Sequence, residues 1–297
     1  STGNLVSTAR SRSQMSWAAE KVATNKPDLH HGRRERDREG TRSCCDSLQS
    51  MSHDMKAETI TIAGDGGDQI EAYLAQPLGK GPFGGVVVIH HMPGYDRSSK
   101  EIARRFADEG YIALMPNLYS REAPGASPDD AAAAARARGG VPDERLVGDV
   151  DGASKHIKSL ASSNGKIASI GYCSGGRQSF LAGVSLQLDA AVDCYGAAIV
   201  NPLPAGSPVK MAPLLDRVKD LSCPLLGLFG EEDQHPSPEE VSILEKQLAE
   251  HAKTYEFHSY PGAGHAFFCV DRPSFRPEAA KHGWERIAQF FDRYLAS

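Results

Sequence analysis

The sequence predicts an α/β fold, a mainly parallel central sheet with helices on both faces. Three observations predict it. Short continuous apolar runs recur from residue 84 onward, as strands buried on both faces require. Between them lie longer stretches with apolar residues at helical spacing. Residues 167–170 then read as a strand that runs straight into a glycine-rich turn and an apolar helix. Strands alternating with helices favour parallel pairing, because each crossover helix covers one face of the sheet.

Taken in order, the alternation at 59–62 and 70–74 predicts an antiparallel opening hairpin. The glycine-rich stretch between them, Gly64-Asp65-Gly66-Gly67, lacks P-loop spacing and reads as a turn. Buried or apolar strands are predicted at 84–89, 111–115, 190–194 and 224–229, and further strands at 166–171 and 254–260. Helices are predicted at 98–109, 146–160, 238–251 and 277–295. Residues 120–142, rich in Ala, Pro, Gly and Asp, read as a surface excursion with some helix.

One domain is predicted over 51–297, with neither an internal repeat nor a second core. Residues 1–50 differ: polar, without periodic hydrophobics, and crossed by the mixed-charge run Arg33-Arg34-Glu35-Arg36-Asp37-Arg38-Glu39. They read as disordered, or as a cloning or mistranslation extension, with Met51 and Met55 as plausible starts. They carry nine Lys+Arg against six Asp+Glu, leaving the remainder more acidic, at 24 against 32.

At a net charge of −5 no nucleic-acid partner is expected. No apolar run approaches the roughly 18 residues needed to span a bilayer, and the leader lacks a signal-peptide core, so no membrane association is expected. The six cysteines, Cys44, Cys45, Cys173, Cys194, Cys223 and Cys269, contain no C-x-x-C pair and suit a reducing, cytoplasmic setting.

The chemistry concentrates at Gly171-Tyr172-Cys173-Ser174-Gly175-Gly176. This is G-x-C-x-G, a cysteine version of the nucleophile elbow of the α/β-hydrolase fold. A sharp strand-to-helix turn needs glycines on both sides of its tip, and the helix behind it offers free N–H groups to a thiolate or oxyanion. Cys173 holds the central position; Ser174 holds the position whose backbone N–H serves an oxyanion hole. A carboxylate just past the strand at 224–229 lies on the same sheet edge, and Glu231, Glu232 and Asp233 all compete for that role. His265, in Gly262-Ala263-Gly264-His265 after the last strand, stands where the fold places its base. Nucleophile, acid and base thus follow in the chain order of that fold.

With these elements in place, the chain resembles the dienelactone hydrolase family. The matching stretches are VVVIHHMPGYD at 86–96, MPNLYSREAPG at 115–125, GYCSGG at 171–176, CYG at 194–196, GEED at 230–233 and GAGHAFF at 262–268. The resemblance covers nearly all of 58–297 and none of 1–50. It implies a single-domain α/β-hydrolase fold and a triad of Cys173, Asp233 and His265, choosing Asp233 among the three acids. It implies an oxyanion hole from the N–H groups of Met92 and Ser174, and substrate binding by Arg121, His91 and Tyr195. Arg121 matches an arginine that helps hold a substrate carboxylate, a task suited to a planar guanidinium. Otherwise Arg121 would be a surface residue paired with Asp129 or Asp130.

Three positions depart from the family pattern. His91 stands where a glutamate takes the thiol proton, Cys269 where a second substrate-binding arginine is expected, and Ala266 where a serine follows the histidine. His91 is therefore expected to accept the thiol proton in the glutamate's place. The adjacent His90 and His91 point to opposite faces, so no metal site is expected of them.

The implied function is hydrolysis of a small-molecule carboxylic ester or lactone through a thioester, without cofactor. One alternative is a promiscuous carboxylesterase with no carboxylate-specific binding; another is a non-catalytic binding protein on the same scaffold, which the filled triad positions argue against. Physiological substrate and oligomeric state are not written in the sequence.

Overall fold

The computed structural model describes residues 54–296; the leader expectation for 1–50 lies outside them. The chain opens with β1 (Met55–Ala63), a one-turn 3-10 helix, and β2 (Gln69–Pro77), paired antiparallel in register from Met55↔Pro77 to Ala63↔Gln69. Then follow β3 (Phe83–Ile89), α1 (Arg97–Asp108), β4 (Ile112–Pro116), α2 (Pro128–Ala137), α3 (Asp143–Ser159), β5 (Ser163–Tyr172) and α4 (Ser174–Ser185). The chain closes with β6 (Ala190–Cys194), β7 (Leu225–Gly230), α5 (Pro238–Glu250), β8 (Tyr255–Tyr260) and α6 (Pro277–Leu295).

The eight strands form one sheet in the order β1-β2-β4-β3-β5-β6-β7-β8. The β1–β2 and β2–β4 pairs are antiparallel and the remaining five are parallel, which is the α/β-hydrolase arrangement. Alternation within β3 explains its unbroken apolar run. Val87 and Ile89 enter the core layer shared with α3 and α4, while Val86 and Val88 enter the layer shared with α1 and α6.

The helix starts follow from local chemistry. Asp96 caps α1 by accepting from the Ser99 N–H, Ser127 caps α2, and Ser237 with Glu240 forms a capping box on α5. The predicted segments recur within a few residues, but 120–142 needs correction. Its helix α2 is not a surface excursion: Ala131, Ala132 and Ala135 are buried against the main core. An alanine stripe lets a helix approach closely, and its low hydrophobicity concealed that role. Among the described residues, no helix is long and apolar enough to cross a membrane.

Because β3 and β5 to β8 run parallel, the loops that follow them all emerge at one edge of the sheet. Cys173, Asp233 and His265 lie just beyond β5, β7 and β8, and the 90–96 loop follows β3.

Candidate active site

The elbow is built by close backbone approach. Cys173 has φ 59° and ψ −123°, a sparsely populated conformation for a residue with a Cβ, held because strand and helix fix it from both sides. Its N–H donates to the Cys194 carbonyl at 3.0 Å, tying the turn to β6. A Cβ on Gly171 would fall 2.0 Å from the Gly175 carbonyl oxygen, and one on Gly175 would fall 2.4 Å from that of Ile89. The second approach seats the start of α4 on the end of β3 and brings the following loop to the elbow.

That loop is braced from within. His90 Nδ1 donates to the His91 carbonyl at 3.0 Å, and His90 Nε2 accepts from the Leu118 N–H at 3.2 Å, which fixes a neutral tautomer. Burial pushes His90 down to about 4, against the opposing effect of the His91 carbonyl. The Tyr119 hydroxyl donates to the Met92 carbonyl at 2.9 Å. Among the described residues, neither the Met92 nor the Ser174 N–H donates to another backbone group. Both remain available to an oxyanion.

Acid and base arrive together. The Glu231 N–H donates to the Tyr260 carbonyl at 3.1 Å and the Glu232 N–H to the Ala263 carbonyl at 2.8 Å, so the loops after β7 and β8 are joined. Glu231 and Glu232 are exposed, whereas Asp233 is buried. Asp233 Oδ2 accepts from His265 Nδ1 at 2.8 Å, and its Oδ1 accepts from the His235 N–H at 2.9 Å. Cys173 lies near the same imidazole. Partial burial lowers the proton affinity of His265, but hydrogen bonds to Asp233 and Cys173 outweigh it and push the group up to about 10. The arrangement favours a proton on the imidazole.

Of the three residues expected at the substrate, two line one groove and the third does not. Tyr195 (φ 46°) is buried and packs edge-on against the His265 ring, with centroids 5.2 Å apart. His91 lines the same groove, its Nε2 bonded to Asp96 Oδ2 at 3.0 Å. Asp96 therefore orients His91 and caps α1 at once. Desolvation would raise Asp96, but the hydrogen bonds from His91 and Ser99 hold it well below the usual carboxylate range.

Arg121 requires correction. Its guanidinium forks onto the fully buried Asp149 through two bonds of 2.9 Å, and its Nε donates to Asp68 at 2.7 Å. Asp149 also accepts from the Asp65 N–H at 2.9 Å. The group locks the β1–β2 turn onto α3, and Arg121 is absent from the groove lining. The partners are neither Asp129 nor Asp130. Close in sequence to Arg121, those two acids lie in the first turn of α2.

Several positioning residues escaped the sequence reading. Asp96 had a legible signal, an aspartate three residues before Ser99 at a helix start. Tyr119 lay within a quoted motif, yet nothing local points its hydroxyl at Met92. Arg177 is fully buried on α4 and forks onto Asp143 at 2.8 and 2.9 Å, while its Nε donates to the Ala198 carbonyl at 3.2 Å. It thereby anchors the loop that carries Tyr195. Asp193, also fully buried, accepts from the Gly196 N–H at 2.8 Å, and burial pushes its carboxyl up to about 7 against that bond.

Comparison with known proteins agrees with this architecture. The model of the dienelactone hydrolase family matches residues 70–295. An Escherichia coli K12 protein named "Putative carboxymethylenebutenolidase" is 35% identical over 238 residues, covering 77% of this chain and 84% of its own. A Saccharolobus solfataricus protein of the same name is 30% identical over 260 residues, covering 76% and 95%. The crystal structure of a Klebsiella pneumoniae protein described as a "Putative Dienelactone Hydrolase" superposes with a TM-score of 0.71 at 29% identity, covering 81% of this chain and all of that one.

Proposed function

The chain belongs to the dienelactone hydrolase family, and on that premise we propose that it hydrolyses a carboxylic ester or lactone with Cys173 as the nucleophile. The observation that carries the reading is the 2.8 Å hydrogen bond that aligns His265 with buried Asp233 beside a strained cysteine at a strand-to-helix turn.

Cys173 sulfur attacks the substrate carbonyl, and the N–H groups of Met92 and Ser174 receive the negative charge that builds on oxygen. The tetrahedral intermediate collapses to a thioester. His265 delivers the proton to the departing alkoxide. A water then gives its proton to the neutral imidazole and attacks the thioester. Collapse of the second intermediate breaks the C–S bond and releases the carboxylic acid, leaving the sulfur anion beside the imidazole that water has protonated. Asp233 keeps Nδ1 protonated and stabilises the imidazolium throughout.

Within this reading, a carboxylesterase without carboxylate-specific binding is favoured over a dienelactone-cleaving enzyme. Arg121 is already engaged by Asp149 and Asp68, and Cys269 holds the position of the second arginine.

A test runs wild type and Cys173→Ala against p-nitrophenyl esters and unsaturated lactones, with acid-quench mass spectrometry of the wild type. The expected result is an acyl adduct on Cys173 and loss of turnover in the variant. Undiminished hydrolysis by Cys173→Ala would refute the mechanism.

A further inference from the structure

A groove of about 1140 Å³ runs along α1 to Trp284 on α6; Cys173, Asp233 and His265 are not among its lining residues. It meets the site at Tyr195, the ring that packs on His265, and at His91 and Cys269. Ile102, Tyr172, Phe268, Val270 and Trp284 make its apolar surface. Tyr172 and Phe268 meet edge-on at 5.4 Å, and Phe268 and Trp284 do so at 5.8 Å. The α6 backbone is notched to make room. A Cβ on Gly283 would fall 2.4 Å from the Phe268 ring, so only glycine lets that ring lie against the helix. Val270, which lines the groove, is 69% exposed.

The charges on the α1 wall beside Trp284 are spoken for. Arg105 pairs with Glu109 at 3.1 Å and stacks over the Trp284 ring at 3.8 Å, and Arg104 pairs with Glu101. Arg97, exposed, follows the Asp96 cap and so stands at the His91 end of the groove.

We propose that this groove binds the non-reacting arm of the substrate, and that the arm is an uncharged, aromatic-bearing chain several carbons long. The inference rests on the hydrolase reading and adds the substrate class to it. The volume exceeds what a small bicyclic lactone fills, and mutually tilted rings offer edges and faces to a flat apolar group. Burial of such an arm tightens binding in proportion to the apolar area removed from water.

Two measurements test it. First, kcat/KM is compared for p-nitrophenyl 4-phenylbutyrate, p-nitrophenyl acetate and the acidic p-nitrophenyl hemisuccinate. The phenylbutyrate is expected to exceed both others by about ten-fold or more, mainly through KM. In Val270→Asp, an exposed change that spares the core, that ratio should fall toward one. Second, neutral 4-phenylbutanamide is titrated into the Cys173→Ala protein while tryptophan fluorescence is followed. Saturable quenching is expected, and its absence in Cys173→Ala/Trp284→Phe assigns it to Trp284 rather than Trp17. No saturable quenching, or equal kcat/KM for all three esters, would overturn the proposal. Quenching without hydrolysis of any ester would leave the groove standing and remove the hydrolase reading instead.

Discussion

Two histidine-bearing loops flank the elbow, and they hold protons in opposite ways. His90, enclosed after β3, has a carbonyl and an N–H for partners, and burial pushes it down to about 4. His265, after β8, keeps 36% of its side chain exposed and has a carboxylate on one nitrogen, with Cys173 nearby. It is pushed up to about 10. Position beside the nucleophile does not make a base; a buried carboxylate with no other cation does. His90 serves as a neutral brace for the loop carrying Met92.

The largest effect should come from removing the carboxylate that separates the two. Asp233→Asn is expected to lower kcat by about 10³- to 10⁴-fold. It should also move the pH midpoint of Cys173 alkylation by iodoacetamide upward, because the imidazolium partner of the thiolate is lost. A loss of less than ten-fold, with an unmoved alkylation midpoint, would erase the distinction.

Next in size, Arg121→Ala tests a cation pair that resembles the Asp233–His265 pair in geometry but points elsewhere. It leaves Asp149 buried and unpaired, so urea unfolding should register a loss of about 3 kcal/mol. Relative rates on acidic and neutral esters should stay the same. Selective loss on acidic esters would return Arg121 to the substrate.

Stability against pH should then carry the signature of both loops. Between 4 and 6.5 the unfolded chain binds a proton at His90 that the native protein refuses, so stability falls as pH falls through that window. Between 6.5 and 10 the native protein holds a proton at His265 that the unfolded chain releases, so stability falls as pH rises. His90→Gln should flatten the acid limb and leave the alkaline one, at a cost of about 1–2 kcal/mol at neutral pH for the disturbed hydrogen bonds. An unchanged acid limb in urea melts across pH would show that another group sets it.

The smallest effect belongs to the other Asp–His pair. Asp96→Ala removes the α1 cap and the partner of His91, and should cost about 1 kcal/mol. It should leave the Cys173 alkylation midpoint near its wild-type position, where Asp233→Asn displaces it. A comparable displacement by both variants would make His91 a second proton partner of the thiol, the role expected of it where the family has a glutamate.

Much of this protein is legible in its chain because the relevant forces act locally. Alternation at 59–62 and 70–74 specifies a hairpin, buried runs specify strands, and Ser237 with Glu240 specifies a helix start. The turn at Cys173 is legible too, since a Cβ added at Gly171 or Gly175 would fall 2.0 or 2.4 Å from a backbone oxygen, which leaves room for glycine alone. What local sequence leaves open is which polar group meets which across the fold. Glu231, Glu232 and Asp233 look alike in the chain; packing against the loop after β8 buries only the third. Arg121 finds its partners 53 and 28 residues away rather than among the nearby aspartates. His90 and His91 are neighbours, yet one is sealed under Tyr119 and the other faces Asp96 at the groove. Propensity and periodicity determine where the chain turns and which face it buries. Pairing of charges and the shape of the groove depend on distances between segments that meet only after the sheet has formed, and there tertiary structure decided.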